Sequence, residues 1–97
     1  SPFIKNTHML ENSATIINKL GLHARAAAKL VSTTSAYSSK VKIAFNGKEV
    51  DGKSIMSVMM LAASQGCTLT IKAHGQDEGA AMQAVLDLID DRFEEEE

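Results

Sequence analysis

At 97 residues the chain can bury one packed core but cannot build a catalytic cleft with a second lobe, so any chemistry must sit on its surface. Its longest uninterrupted apolar run, Val58 to Ala63, falls far short of the ~20 residues of a membrane-spanning helix, and no stretch resembles a secretory signal, which points to a cytoplasmic protein without membrane insertion. The net charge of -2 conceals an asymmetry: from Met9 to Lys72 eight Lys or Arg face three acids, a balance of +5, whereas from Ala73 onward Arg92 faces nine acids, a balance of -8. The positive segment suits an acidic protein partner. Nucleic acid suits it less, because three Phe, one Tyr and no Trp supply no stacking platform.

Residues 1–8 (SPFIKNTH) read as a vector-derived leader joined to a native start at Met9, which leaves 9–97 as a single domain. Ser13 to Asn18 is a short β-branched run that predicts a strand, and Gly21 marks the turn after it. Ala24 to about Thr34 is rich in helix formers, with His23 at its mouth. Lys40 to Phe45 alternates polar and apolar residues, Asn46-Gly47 is a strong two-residue hairpin signal, and Lys48 to Val50 returns as the partner strand. Ser54 is placed to cap a helix running to about Ala63, with Val58, Leu61 and Ala62 on its buried stripe and Gln65-Gly66 as its stop.

Thr68 to Ala73 alternates again as a fourth strand. Asp77 and Glu78 then open a helix with Met82, Val85, Leu86 and Ile89 on one face, and Glu94 to Glu97 reads as a frayed, solvated acidic tail. The order βαββαβα, with one apolar stripe per helix and one apolar phase per strand, gives an α+β layer whose helices cover a single sheet face. Lys40, Lys42, Thr68, Thr70 and Lys72 fall on the opposite, polar phase.

Three features carry candidate chemistry. A histidine at a helix mouth lies where first-turn N–H groups point outward unpaired and attract anions. Histidine as a residue type, with an unperturbed pKa of ~6.5, is substantially neutral and nucleophilic at cytosolic pH. A phosphoryl group on it would meet the backbone N–H groups of Ala24 and Arg25, and the Arg25 guanidinium suits phosphate better than a lysine would. Gly-x-His-x-Arg equally describes an ordinary capping histidine with a solvent-facing arginine, and local physics alone favours that plainer role. The lone Cys67 cannot form an internal disulfide and reads as a small core hydrophobe, while His74 reads as an exposed turn residue. No His, Cys or acid pair has metal-ligand spacing, so neither metal nor cofactor is expected.

The segment NKLGLHARAAAKLV, Asn18 to Val31, resembles the active-site segment of the HPr family, histidine-containing phosphocarriers of the bacterial phosphoenolpyruvate-dependent phosphotransferase system. GKSIMSVMMLAASQG, Gly52 to Gly66, resembles that family's second signature, around a regulatory serine. The resemblance runs from about Ser13 to Arg92. It implies an open-faced β-sandwich, a four-stranded antiparallel sheet covered on one face by three helices. It also implies that His23 accepts the phosphoryl group through Nδ1 from enzyme I and donates it to enzyme IIA domains, that Arg25 stabilises the phosphate, and that the chain is a stoichiometric carrier rather than an enzyme; nothing in the sequence demands more than a monomer. Ala26 departs from the pattern, since the family usually has proline after the arginine; alanine keeps helix propensity and leaves an additional N–H near the phosphate.

Ser54 would cap its helix without any regulation, yet the resemblance makes it the target of HPr kinase/phosphorylase. Ile55, Met56 and Met59 fall on a second stripe that reads either as a wider core or as a Met-rich docking patch, with Lys29 and Lys53 as a basic rim. Two further readings are a regulatory binding module acting through docking and Ser54, and a carrier of the system's nitrogen branch.

Overall fold

The computed structural model describes residues 9–97, so the expected leader at 1–8 lies outside the described residues. The period-two run Lys40–Phe45 forms strand β2, whose Val41 and Ile43 face the core while Lys40 and Lys42 stay in solvent. Asn46 and Gly47 adopt φ of 54° and 84°, the left-handed pair that a tight hairpin turn requires, and the chain returns as β3, Lys48–Asp51. With β1, Leu10–Thr15, and β4, Thr68–His74, the strands form one sheet in the order β1-β4-β2-β3, every neighbouring pair antiparallel.

Three helices, α1 (Ala24–Ser35), α2 (Ile55–Met59) and α3 (Glu78–Asp90), complete the expected βαββαβα order. Leu30 of α1, Val58 of α2 and Val85 and Ile89 of α3 bury against Val41, Ile43, Leu69 and Ile71 of the sheet. Register sets Glu11, Lys72, Lys42 and Asp51 side by side across the strands, so the adjacent lysines are flanked by acids, and Glu49 pairs with Lys72 at 2.8 Å.

Three boundaries differ from the sequence reading. β1 begins at Leu10 and ends at Thr15, because antiparallel pairing with β4 decides its limits rather than the β-branched run at 15–17. Past its end Ile16 still exchanges backbone bonds with Gly66 and Cys67 and is fully buried. α2 stops at Met59 instead of about Ala63, and Ala62 turns left-handed (φ 53°) and is exposed rather than on the buried stripe. That reversal buries both Leu61 and Ala63, and it frees the Ala63 carbonyl to accept the N–H of Leu22 at 2.9 Å.

The third difference is the C-terminal segment. Arg92–Glu94 forms a turn with three successive left-handed residues (φ 56°, 54° and 67°), each costing about 1–2 kcal/mol for a side chain with a Cβ. Phe93 is fully buried, which returns about 1.5–3 kcal/mol. The acidic residues after it run back past the start of α1: Glu94, Glu96 and Glu97 stay exposed as expected, while Glu95 is partly buried against Asn18 and His23.

Asp77 precedes α3, but its side chain does not cap that helix. It takes the Ser39 hydroxyl and the backbone N–H groups of Ser38 (3.0 Å) and Ser39 (2.9 Å), tying the α1–β2 connection to the α3 entry. The Ser39 hydroxyl first, then the Ser38 N–H, hold the Asp77 carboxyl down at about 2 from its ordinary 3.8. Because the folded value is the depressed one, this stabilisation is complete above about pH 4 and is lost as pH falls toward 2. Unfolding midpoints measured in urea from pH 5 to 2 should fall less steeply for Asp77→Asn than for the parent chain; parallel curves would remove Asp77 from the acid response.

Candidate functional site

The loop between β1 and α1 is built around Asn18 and Gly21. The buried Asn18 side chain donates through Nδ2 to the Gly21 carbonyl (2.8 Å) and to Glu95 Oε1 (3.0 Å), while the Asn18 backbone carbonyl accepts the Gly21 N–H at 3.2 Å. Both side-chain partners are acceptors, which fixes the amide orientation even though Oδ1 is left without a partner. Gly21 has φ +69°, and a Cβ there would lie 2.8 Å from Ser64 Cα and 2.9 Å from the Ala63 carbonyl oxygen. Only glycine satisfies both the conformation and the close approach. With the Leu22–Ala63 bond, this contact sets where α1 can begin.

His23 is the residue at that beginning. Its backbone is extended (φ -79°, ψ -180°) and its carbonyl accepts the first helical bond, from Ala27 N–H at 2.8 Å. The N–H groups of Ala24, Arg25 and Ala26 therefore precede the helical ladder, and that of Arg25 points at His23 Nδ1 (3.3 Å). A backbone amide can only donate, so Nδ1 carries a lone pair. At the other ring edge Nε2 pairs with Glu95 Oε2, and a carboxylate can only accept, so Nε2 carries the proton. The ring is about one-quarter exposed and Glu95 about one-eighth.

An open cleft of about 820 Å³ surrounds the ring, lined by Lys19, Leu20, Ala24, Arg25 and Lys29 on one side and the acidic residues 94–97 on the other. Arg25 is exposed beside His23. Lys29 donates to the Phe93 carbonyl at 3.0 Å and pairs with Glu94 at 3.4 Å, and Lys19 pairs with Glu97 at 3.5 Å. Burial pushes the Glu95 carboxyl up, but the Asn18 amide and the His23 ring, with Lys29 behind them, outweigh it and hold the group below its ordinary 4.5.

The remaining candidates lie apart from this cleft. Ser54 caps α2, its hydroxyl accepting the Ser57 N–H at 3.2 Å, and it is half-buried. Ile55, Met56 and Met59 are exposed, Met56 at 72%, so the second stripe of α2 is surface and not a wider core; Met60 and Leu20, at 66% and 69%, extend the exposed apolar area. The expected basic rim is not free: Lys53 donates to the Tyr37 carbonyl at 2.7 Å, and Lys29 is held by the tail as described. Ala26 is fully buried beneath the helix start. Cys67 is half-buried against the core and takes the Ser64 N–H at 3.4 Å. His74 is exposed, and among the described residues no three His, Cys, Asp or Glu gather as metal ligands.

Residues 10–91 match the family model described as PTS HPr component phosphorylation site. The chain belongs to the HPr family. Among named HPr relatives, the phosphocarrier protein HPr of Cupriavidus necator is 56% identical over 92% of this chain and 100% of its own length. That of Xylella fastidiosa (strain Temecula1) is 52% identical over 91% and 99%. The crystal structure of HPr from Thermoanaerobacter tengcongensis superposes with a TM-score of 0.87 at 44% identity, covering 91% of this chain and 99% of that one. The HPr fold and the phosphocarrier role in the phosphotransferase system follow from these matches.

Two residues of the cleft escaped the sequence reading, Asn18 and Glu95. A signal existed for each: an asparagine three residues before a turn glycine is a loop-closing side chain, and Phe93, four residues after Ile89, continues the apolar stripe of α3 into an otherwise acidic run. Replacing Gly21 by Ala should cost about 1–3 kcal/mol in urea unfolding, since it strains φ and collides with backbone. Gly79→Ala in the first turn of α3, where the new Cβ meets nothing within 4 Å, should be neutral or stabilising by up to about 1 kcal/mol. Equal responses at the two sites would contradict the wedged loop.

Proposed function

We propose that this HPr-family chain is a cytoplasmic, stoichiometric phosphoryl carrier that accepts the group on His23 from phosphorylated enzyme I and donates it to enzyme IIA domains. The observation that carries this reading is the Nδ1 lone pair held at the mouth of α1, facing the Arg25 N–H. An incoming phosphorus meets that lone pair, the new N–P bond forms, and the electron pair of the breaking bond returns to the donor's leaving atom. The phosphoryl oxygens then fall within the field of the α1 N-terminus, where the Ala24 and Arg25 N–H groups and the exposed Arg25 guanidinium share their charge. Transfer of this kind needs positioning and electrostatics, which a small rigid domain supplies.

Donation reverses the step: the Nδ1–P bond breaks, its electron pair returns to the ring, and the acceptor's nucleophile takes the phosphorus. The exposed apolar residues Ile55, Met56 and Met59 supply an adaptable contact surface that unrelated donors and acceptors can share. In this reading the chain works as a monomer, and its charge state tells each partner whether it is loaded.

Ser54 supports a regulatory addition. Its hydroxyl sits at the start of α2 beside the exposed Ile55 and Met56, so phosphorylation by HPr kinase/phosphorylase would place about -1.5 to -2 charges next to the docking surface without unfolding it. One assay tests both assignments. Enzyme I and phosphoenolpyruvate should load the chain with acid-labile phosphate, His23→Ala should abolish loading, and Ser54→Asp should slow it about ten-fold or more at unchanged fold. Loading that persists in His23→Ala would sink the acceptor assignment, and an unaltered rate in Ser54→Asp would sink the regulatory one.

A further inference from the structure

The proposed function uses one edge of the His23 ring; the other edge is occupied by a residue of the C-terminal segment. We infer that Glu95 is a positioning residue for phosphoryl transfer: its carboxylate on Nε2 selects the tautomer that leaves Nδ1 nucleophilic and stabilises the cationic ring that forms when Nδ1 attacks phosphorus. This inference rests on the reading of His23 as the acceptor.

The geometry carries it in three steps. First, a neutral imidazole in water distributes its proton between two nitrogens, and only the form with a free Nδ1 can attack; an obligate acceptor at Nε2 and an obligate donor at Nδ1 both select that form. Secondly, when the Nδ1 lone pair goes into the N–P bond the ring gains a formal positive charge and keeps its Nε2 proton, so a carboxylate against that N–H interacts more strongly with the product than with the starting ring. No proton has to move in this step. Thirdly, Glu95 is held for the role: Asn18 Nδ2 grips its other oxygen at 3.0 Å, and the buried Phe93 two residues earlier anchors the turn that delivers it.

An acid beside a phosphate site would ordinarily repel the incoming group. Here the carboxylate faces Nε2, the ring edge away from the α1 N-terminus, so the phosphoryl group and the carboxylate approach opposite edges of one ring. The other charges around the ring are Arg25 and Lys29 from α1, Lys19 from the loop, and Glu94, Glu96 and Glu97 from the tail. Lys29 pairs with Glu94 and Lys19 with Glu97, while the Glu95 carboxylate sits on the ring itself.

The experiment is nitrogen NMR of the full chain labelled at histidine, comparing the parent with Glu95→Gln and Glu95→Ala, alongside initial rates of loading by enzyme I and phosphoenolpyruvate. The parent's neutral ring should read as protonated at Nε2. Glu95→Gln, which can still accept the N–H but carries no charge, should keep the tautomer. Glu95→Ala, with only the Arg25 N–H left to select it, should weaken the tautomer preference, and both variants should load about ten-fold more slowly with unchanged circular dichroism. An unchanged tautomer preference in Glu95→Ala, or unchanged loading in both variants, would overturn the inference, as would faster loading by Glu95→Ala, which would make the tail a shield over the site. The NMR arm needs no phosphate: a parent that fails to load while the tautomer responds to the substitutions as stated defeats the reading of His23 as acceptor, whereas a parent that loads with a ring unresponsive to them defeats only the role of Glu95.

Discussion

The site depends on one close packing: Gly21 lies so near the Ala63–Ser64 backbone that no side chain fits between them, and the Leu22 N–H closes onto the Ala63 carbonyl beside it. That contact fixes where α1 starts. A helix start displaced by one residue would rotate His23 by about 100° around the axis and take its ring out of the field of the first-turn N–H groups. The same contact explains why α2 is short, because its continuation past Met59 would carry the Ala63 carbonyl into the helix's own ladder and away from Leu22. Two segments distant in sequence, the loop before α1 and the reversal after α2, therefore hold each other in register.

Around that fixed point the electrostatics divide cleanly. The α1 N-terminus and Arg25 favour negative charge at Nδ1, and the carboxylate of Glu95 favours positive charge on the ring. A phosphorylated histidine presents both at once, an anionic phosphoryl group on a cationic ring. The arrangement fits that species better than it fits bare imidazole, which is the condition for lowering the barrier to forming it. The cost is a run of three left-handed residues at Arg92–Glu94, offset by burial of Phe93 and by the bonds from Asn18 and Lys29.

Much of this was legible in the sequence, and the reasons are local. Lys40–Phe45 with Asn46-Gly47 announces a hairpin because strand alternation and turn conformation are both short-range properties. The position of His23 at a helix mouth followed from the change of composition at Ala24, and the motif around it pointed to the family that the relatives then showed. Ser54 is the cap it was expected to be. What failed was set by long-range contact. The limits of β1 come from β4, the early end of α2 comes from Leu22, and the tail folds back because Phe93 finds the core, none of which a window of neighbouring residues encodes. A run of four glutamates carries the compositional mark of a solvated end, and Glu94, Glu96 and Glu97 are exposed, but the buried phenylalanine before them turns Glu95 onto His23.

The proposed acceptor comes down to one atom, Nδ1 of His23, which among the described residues is the histidine nitrogen that combines a free lone pair with the α1 N-terminus. The most direct measurement is the phosphorus–nitrogen coupling in the loaded chain labelled at histidine. The account predicts a one-bond coupling between phosphorus and Nδ1, with Nε2 still protonated. A one-bond coupling to Nε2, or to a nitrogen of another histidine, would contradict it.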